Sequence, residues 1–314
     1  MVRIFYWKDK EIRKEADVRE ISALSNILWI DLQSPSQEEE EWVESKCNIS
    51  FQTPQEITEI ESSSRFFEKN NTLVANSNFL RLDADGYNMY PVSFLIRESI
   101  LFTYRTGDSS TFADTIKKMR VNPEHLILGV DIMLLLFETR IDLDADLLEN
   151  ISKEVTQISK KLNIERKPRQ DSLLHISSQQ ESTMMLRESI IDKQRVLSAI
   201  LRSTIFPETH KERLRIILKD INSLLEYTIF NFERLEYLQD TFTGLINLEQ
   251  NDTIKRFTLF SIIFLPPTLI AGIFGMNHAY IPSASSEFGF FFALFLMVLS
   301  SGCSWLYFKK KHWI

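Results

Sequence analysis

Two stretches near the C-terminus carry no charged side chain: Phe257 to Phe274 and Phe288 to Phe308. As helices, at 1.5 Å rise per residue, they measure roughly 27 and 32 Å, against about 30 Å for a bilayer hydrocarbon core. Uncharged runs of this length mark membrane spans more often than the buried helix pairs of a soluble core. The preceding ~255 residues carry charge throughout. The expected chain is a soluble region followed by two closely spaced spans.

The flanks of the runs set an orientation. The opening "MVRIFYWKDKEIRK" lacks the apolar core of a signal peptide. Lys255 and Arg256 precede the first run and Lys309, Lys310 and Lys311 follow the second, while the loop from Gly275 to Glu287 has no Lys or Arg. The positive-inside rule then places both termini in the cytoplasm and the loop outside, in a cell (inner or plasma) membrane. Tyr280, Trp305, Tyr307 and Trp313 lie near span ends, where aromatic rings favour the interface. Cys47 and Cys303 suggest neither a disulfide framework nor a metal site. A net charge of −7 argues against a nucleic-acid partner. The five histidines form no close-spaced ligand pair, and there is no P-loop, so neither an enzyme nor an ATP-driven pump is expected.

Residues 1–140 read as a mixed α/β domain. "VRIFYW" and "NILWIDL" are strand-like, "SPSQEEEEWVESK" opens a helix near Pro35 and Ser36, and the segment from 71 to 105 reads as strands with a turn at Asp85-Gly86. "DSSTFADTIKKM" starts another helix behind a serine or aspartate cap. Residues 141–252 read as long cytoplasmic helices, with a break near Pro168 and a new start after Pro207 at Glu208 and Thr209. That last helix has nothing to stop it before the membrane, so it becomes a stalk running into the first span at 253–274. A loop at 275–287, a second span at 288–308 and a basic end at 309–314 complete the chain.

A stripe runs along the first span. Asn251, Thr258, Leu265 and Gly272 recur every seven residues, interleaved with Ile254, Ser261, Thr268 and Gly275. This is the seam spacing of a coiled coil, and it holds nearly all the polar and small residues of a Phe-, Leu- and Ile-rich segment. Polar groups on a span face protein or water rather than lipid. Ordinary helix packing explains such a stripe, and so does a water-filled axis shared by several copies. Pro266 and Pro267 remove the backbone donors for the carbonyls of Ile262 and Ile263, which suits a packing kink or a pore bend equally.

"LPPTLIAGIFGMN", a short loop, a second span and the terminal "YFKKKHWI" resemble the CorA family of divalent-cation channels, and "LWIDLQSP" extends the likeness upstream. The resemblance implies an α+β fold: a cytoplasmic α/β domain and a stalk helix that continues into the first of two C-terminal transmembrane helices, assembled as a funnel-shaped homopentamer in membrane lipid. It implies passive Mg²⁺ influx, with Co²⁺ and Ni²⁺ as secondary ions. Cytoplasmic divalent ions bound between neighbours would hold the channel shut, making Mg²⁺ both cargo and regulator. Gly275, Met276 and Asn277 match the family's outer mouth, and Asn251, Phe257, Leu265 and Thr268 match its pore-lining positions. Two departures stand out. Phe274 replaces the usual tyrosine, and "IPSA" places Ser283 where many members carry a loop glutamate. A zinc transporter on the same scaffold is the alternative; a membrane-anchored sensor without transport is another, although an anchor needs only one span.

An amide ring suits Mg²⁺, which gives up water reluctantly. Asn277 side chains would accept hydrogen bonds from ion-bound water without binding so tightly that the ion cannot leave. Gly275 would let the chain leave the helix, and several helix C-termini, each near −0.5 charge, would attract cations. The plainer reading of Asn277 is a helix C-cap. For regulation, Asp142, Asp144, Asp146 and Glu149 cluster in "RIDLDADLLEN", which lacks the glycine and terminal glutamate of a calcium loop. The stretch is expected to open a helix with a solvated acidic face, or to serve as a sensor. Asp220, Glu226, Glu236 and Asp240 on the stalk are further candidates.

Overall fold

The computed structural model describes every residue except 10, 18, 20–25, 59–64, 84, 85, 108, 166–169, 277–287 and 312–314; for 54, 58, 163–165 and 170 it describes the backbone alone. The chain divides into two compact units. The larger runs through Gln239 and the smaller begins at Asp240.

The larger unit is built on a seven-stranded sheet in the order β2-β1-β3-β7-β6-β5-β4. Its strands are β1 (Val2–Lys8), β2 (Glu11–Glu15), β3 (Ile27–Gln33), β4 (Phe66–Lys69), β5 (Thr72–Asp83), β6 (Gly86–Arg97) and β7 (Ile100–Arg105). All neighbours are antiparallel except β3 and β7, which pair in parallel from Trp29↔Leu101 to Gln33↔Arg105. That central pair explains why "ILWIDLQ" is buried along nearly its whole length: both faces of the sheet are covered there.

Strand alternation sorts the side chains by face. Val2, Ile4, Ile30, Leu32 and Phe102 join Val43 of helix α1 (Gln37–Cys47) in one core, with Trp42 packed against it. Ser36 starts α1 with a capping box: its hydroxyl accepts from the Glu39 amide, and Glu39 accepts from the Ser36 amide. A short helix, α2 (Pro54–Thr58), follows. On the opposite face Phe5 stacks on Trp29, and Phe79, Phe94, Phe112 and Phe137 form an aromatic cluster with helices α3 (Ser110–Val121) and α4 (Gly129–Glu165). At the start of α4, Gly129 approaches the sheet so closely that a Cβ there would lie 2.2 Å from the Leu101 amide nitrogen.

Three helices follow as the sequence leads one to expect: α4, α5 (Gln170–Leu201) and α6 (Glu208–Phe274), the last of 67 residues and unbroken through Pro266 and Pro267. The expected break at Pro168 and the turn residue Asp85 lie outside the described residues. Helix α7 (Gly289–Lys310) is the last described element. One expectation fails. "RIDLDADLLEN" does not open a helix; it lies well inside α4, which begins at Gly129. The real start is fixed by Asp131, whose carboxylate accepts from the Ile127 and Leu128 amides at 3.0 and 2.8 Å.

Candidate functional site

In the smaller unit, α6 and α7 are long and apolar enough to cross a membrane, and no residue of the most apolar stretch of α6 is buried within the chain. Half-buried positions on α6 are Leu259, Ile262, Ile263, Pro266, Pro267, Ile270 and Phe274. On α7, Gly289 and Ala293 are buried. Ala271, Phe274 and Gly275 line one cleft together with Gly289, Phe290, Ala293, Leu294 and Met297. The two helices therefore meet through small residues near the Gly275 end, where close approach costs least.

The stripe lies elsewhere. Asn251, Ile254, Phe257, Thr258, Ser261, Leu265, Thr268 and Gly272 are all exposed. At about 100° per residue these positions centre on the face roughly opposite the half-buried set. The Ser261 hydroxyl donates to the Phe257 carbonyl at 3.0 Å, and that of Thr268 to the Phe264 carbonyl at 2.7 Å. These two hydroxyls are thus satisfied one turn back on their own helix, while the carbonyls that Pro266 and Pro267 leave without amide donors are those of Ile262 and Ile263.

α6 ends at Phe274 with a tightened turn: the Gly275 amide donates to Ala271 at 2.9 Å and the Met276 amide to Ile273 at 3.2 Å. Gly275 does not adopt a left-handed backbone, and a Cβ there would press within 3.1 Å of the Ala271 carbonyl oxygen. Its lack of a side chain thus relieves crowding against the last turn of its own helix, where α6 gives way to a turn. Asn277, His278, Tyr280, Ser283 and Glu287 lie outside the described residues, as do His312 and Trp313.

The acidic candidates of the larger unit separate by environment. Asp142, Asp146, Asp220, Glu226 and Glu236 are exposed, as is Asp240 at the start of the smaller unit. Asp142 pairs with Lys118 at 2.7 Å and Glu149 with Lys153 at 2.8 Å. Asp144 is fully buried; Arg140 donates to one carboxylate oxygen at 2.6 Å and Lys193 lies 3.0 Å from the other. Burial pushes the Lys193 ammonium below its ordinary range, while the Asp144 charge opposes that shift. Asp144 is therefore engaged by two cations of its own chain. Among the described residues no three His, Cys, Asp or Glu side chains gather as a metal site.

Sequence reasoning missed the polar contacts that root α6. His210 meets Asp131 at 2.8 Å, and Arg213 grips Glu138 through two bonds of 2.7 and 2.6 Å. The bidentate pair raises the Arg213 pKa. These partners lie 79 and 75 residues apart, too far for any local pattern to connect them.

Comparison with known proteins bears on the whole sequence and on the fold. A sequence model of a family described as CorA-like Mg²⁺ transporter protein matches residues 25–310. The chain is 36% identical to the magnesium transport protein CorA of Wolinella succinogenes over the full length of both chains. It is 34% identical to the protein of the same name from Escherichia coli K12, covering 95% of each chain. In fold it is similar to the complete structure of the CorA magnesium transporter from Methanocaldococcus jannaschii, with a TM-score of 0.82 at 20% identity, covering 100% of this chain and 99% of the other.

Proposed function

Because this chain belongs to the CorA-like Mg²⁺ transporter family, we propose that it carries divalent cations, Mg²⁺ foremost, passively across a membrane. The chain is a membrane protein with two spanning helices, of a family that transports rather than catalyses. The observation that carries the proposal is the placement of the α6 stripe: it faces away from α7 and stays open. One chain with two spans encloses no path, so the stripe needs other copies to bury it. A homo-oligomer, a pentamer in this reading, would bring the stripes around one axis. Ile216, Phe230 and Tyr237 support it, since they are exposed apolar residues on α6 in the same seven-residue register as Asn251.

At the outer end a ring of Asn277 amides would hold the ion through its water, and the C-terminal ends of the α6 helices would supply an attractive field without loop carboxylates. Both termini would be cytoplasmic. A membrane potential of about 100 mV supplies about 4.6 kcal/mol per divalent ion, enough to drive influx without ATP. Exposed Asp142, Asp146, Asp220 and Asp240 remain the candidates for regulatory Mg²⁺ between copies; Asp144 would have to abandon Lys193 and Arg140 to take part.

Purified protein in liposomes tests the proposal. Mg²⁺ should enter down its gradient with a negative interior, with Co²⁺ and Ni²⁺ slower, and Asn277→Ala should abolish flux while the oligomer persists. Zn²⁺ entering in preference to Mg²⁺ would establish the zinc reading instead. No ion flux from a correctly assembled oligomer would leave only the membrane-anchored sensor.

A further inference from the structure

The spans end on a layer of positive charge that ion transport does not call for. Counting back from Gly275, Arg256 is reached after about 19 residues, or roughly 28 Å; counting on from Gly289, Lys309 is reached after about 20 residues, or roughly 30 Å. Gly275 and Gly289 line the same cleft, so the two counts start at one level and end at one level. Lys255 and Arg256 of α6 therefore stand at the height of Lys309, Lys310 and Lys311 at the end of α7, all within the smaller unit. All five are exposed, and none is paired with a carboxylate among the described residues. Lys309 lies over the Trp305 ring at 4.8 Å and Lys311 near the Tyr307 ring at 6.0 Å. The next acids on α6, Asp252 and Glu249, lie one and two turns farther from the apolar run. In a chain with a net charge of −7, a purely cationic layer beside a path for cations is electrostatically costly unless something anionic neutralises it.

We propose that this layer is a binding site for anionic phospholipid headgroups of the adjoining leaflet. The depth identifies the source of the anion: the ammonium groups sit where a hydrocarbon-length helix meets the phosphate layer, and Trp305 and Tyr307 one turn inside occupy the interfacial zone of aromatic rings. The phosphodiester supplies the missing counter-charge, and the cation–π contacts hold two of the lysines close to the ring surface. The inference rests on the membrane reading alone and is independent of which ion crosses.

Full-length protein in vesicles tests it through quenching of tryptophan fluorescence by brominated phosphatidylglycerol or brominated phosphatidylcholine, with Trp305 as the reporter beside the site. The wild type should prefer phosphatidylglycerol. Lys309→Gln, Lys310→Gln and Lys311→Gln together should erase the preference, by about fivefold per lysine at low ionic strength. Lys255→Gln with Arg256→Gln should weaken it, arginine replacing all three C-terminal lysines should keep it, and added salt should lower it. Equal quenching by both lipids in the wild type, or a preference untouched by the triple substitution, overturns the proposal. If the triple variant fails to insert, a wild-type preference that ignores salt does so instead. Displacement by soluble glycerol phosphate would show a site for free phosphate rather than for lipid. No Mg²⁺ gradient is used, so the outcome is separate from that of the transport experiment.

Discussion

In the compact unit that holds the sheet, Asp144 is fully buried and met by Arg140 and Lys193; in the unit that holds the spans, Thr258, Ser261 and Thr268 stand open along one face of α6. The glycines differ in the same way. A Cβ on Gly129 would strike the backbone of Leu101, whereas one on Gly272 would meet nothing within 4 Å. Asp31 in the first unit accepts from Arg3, Thr103 and Arg105, which closes its bonding inside the chain. The difference teaches where each unit finds its partners. The sheet unit meets the demands of Asp31, Asp144 and Gly129 with contacts of its own, while the span unit presents a seam that its own second helix leaves uncovered.

The sharpest way to break that contrast is at the buried pair. Asp144→Ala should cost about 3–5 kcal/mol, read from thermal unfolding of the full chain in detergent, because two buried cations lose their counter-charge. Combining it with Lys193→Met should recover part of the loss; additive losses would mean that the two side chains do not act as a pair. Gly129→Ala comes next, at about 1–3 kcal/mol, since backbone of β3 and β7 must shift to admit a methyl group. A wild-type melting curve for this variant would show that the α4 start is not packed as described.

Crosslinking probes the other side of the comparison. In a background without Cys47 and Cys303, cysteines at Asn251, Thr258 or Leu265 should link copies, and one at Leu259, on the half-buried face, should not. Equal linking on both faces would remove the seam. Burial pushes the native Cys47 thiol up to about 11, so at neutral pH it would compete little even if retained. The smallest expected effect is that of Gly272→Ala, which should leave single-chain stability within about 0.5 kcal/mol while lowering Mg²⁺ flux. A large loss of stability there would show that this part of α6 packs within the chain.

Much of this organisation was legible in the sequence because it is written in local periodicity. The uncharged runs marked α6 and α7, short strand-like runs marked β1 and β3, and Pro35 and Ser36 with acids behind them marked the start of α1. The long stretch after Pro207 was enough to expect one continuous helix of more than fifty residues, and α6 runs for 67. Where sequence reasoning failed, the deciding contact was distant. "RIDLDADLLEN" reads as a helix start with a solvated acidic face, yet Asp144 is buried against a lysine on α5 and the first-turn acid of α4 is Asp131.

The sequence by itself determined the membrane class, the seven-residue stripe of α6 and the family likeness, since each depends on residues adjacent in the chain or one turn apart. Only the tertiary structure decided which face of α6 meets α7, which acid is buried and how α6 is rooted on α4. Those outcomes depend on pairs such as His210 with Asp131 and Lys193 with Asp144, which are far apart in the chain and are brought together only when the sheet and its helices close. Hydrophobic periodicity says that a face will be buried, but the partner that buries it is fixed by packing.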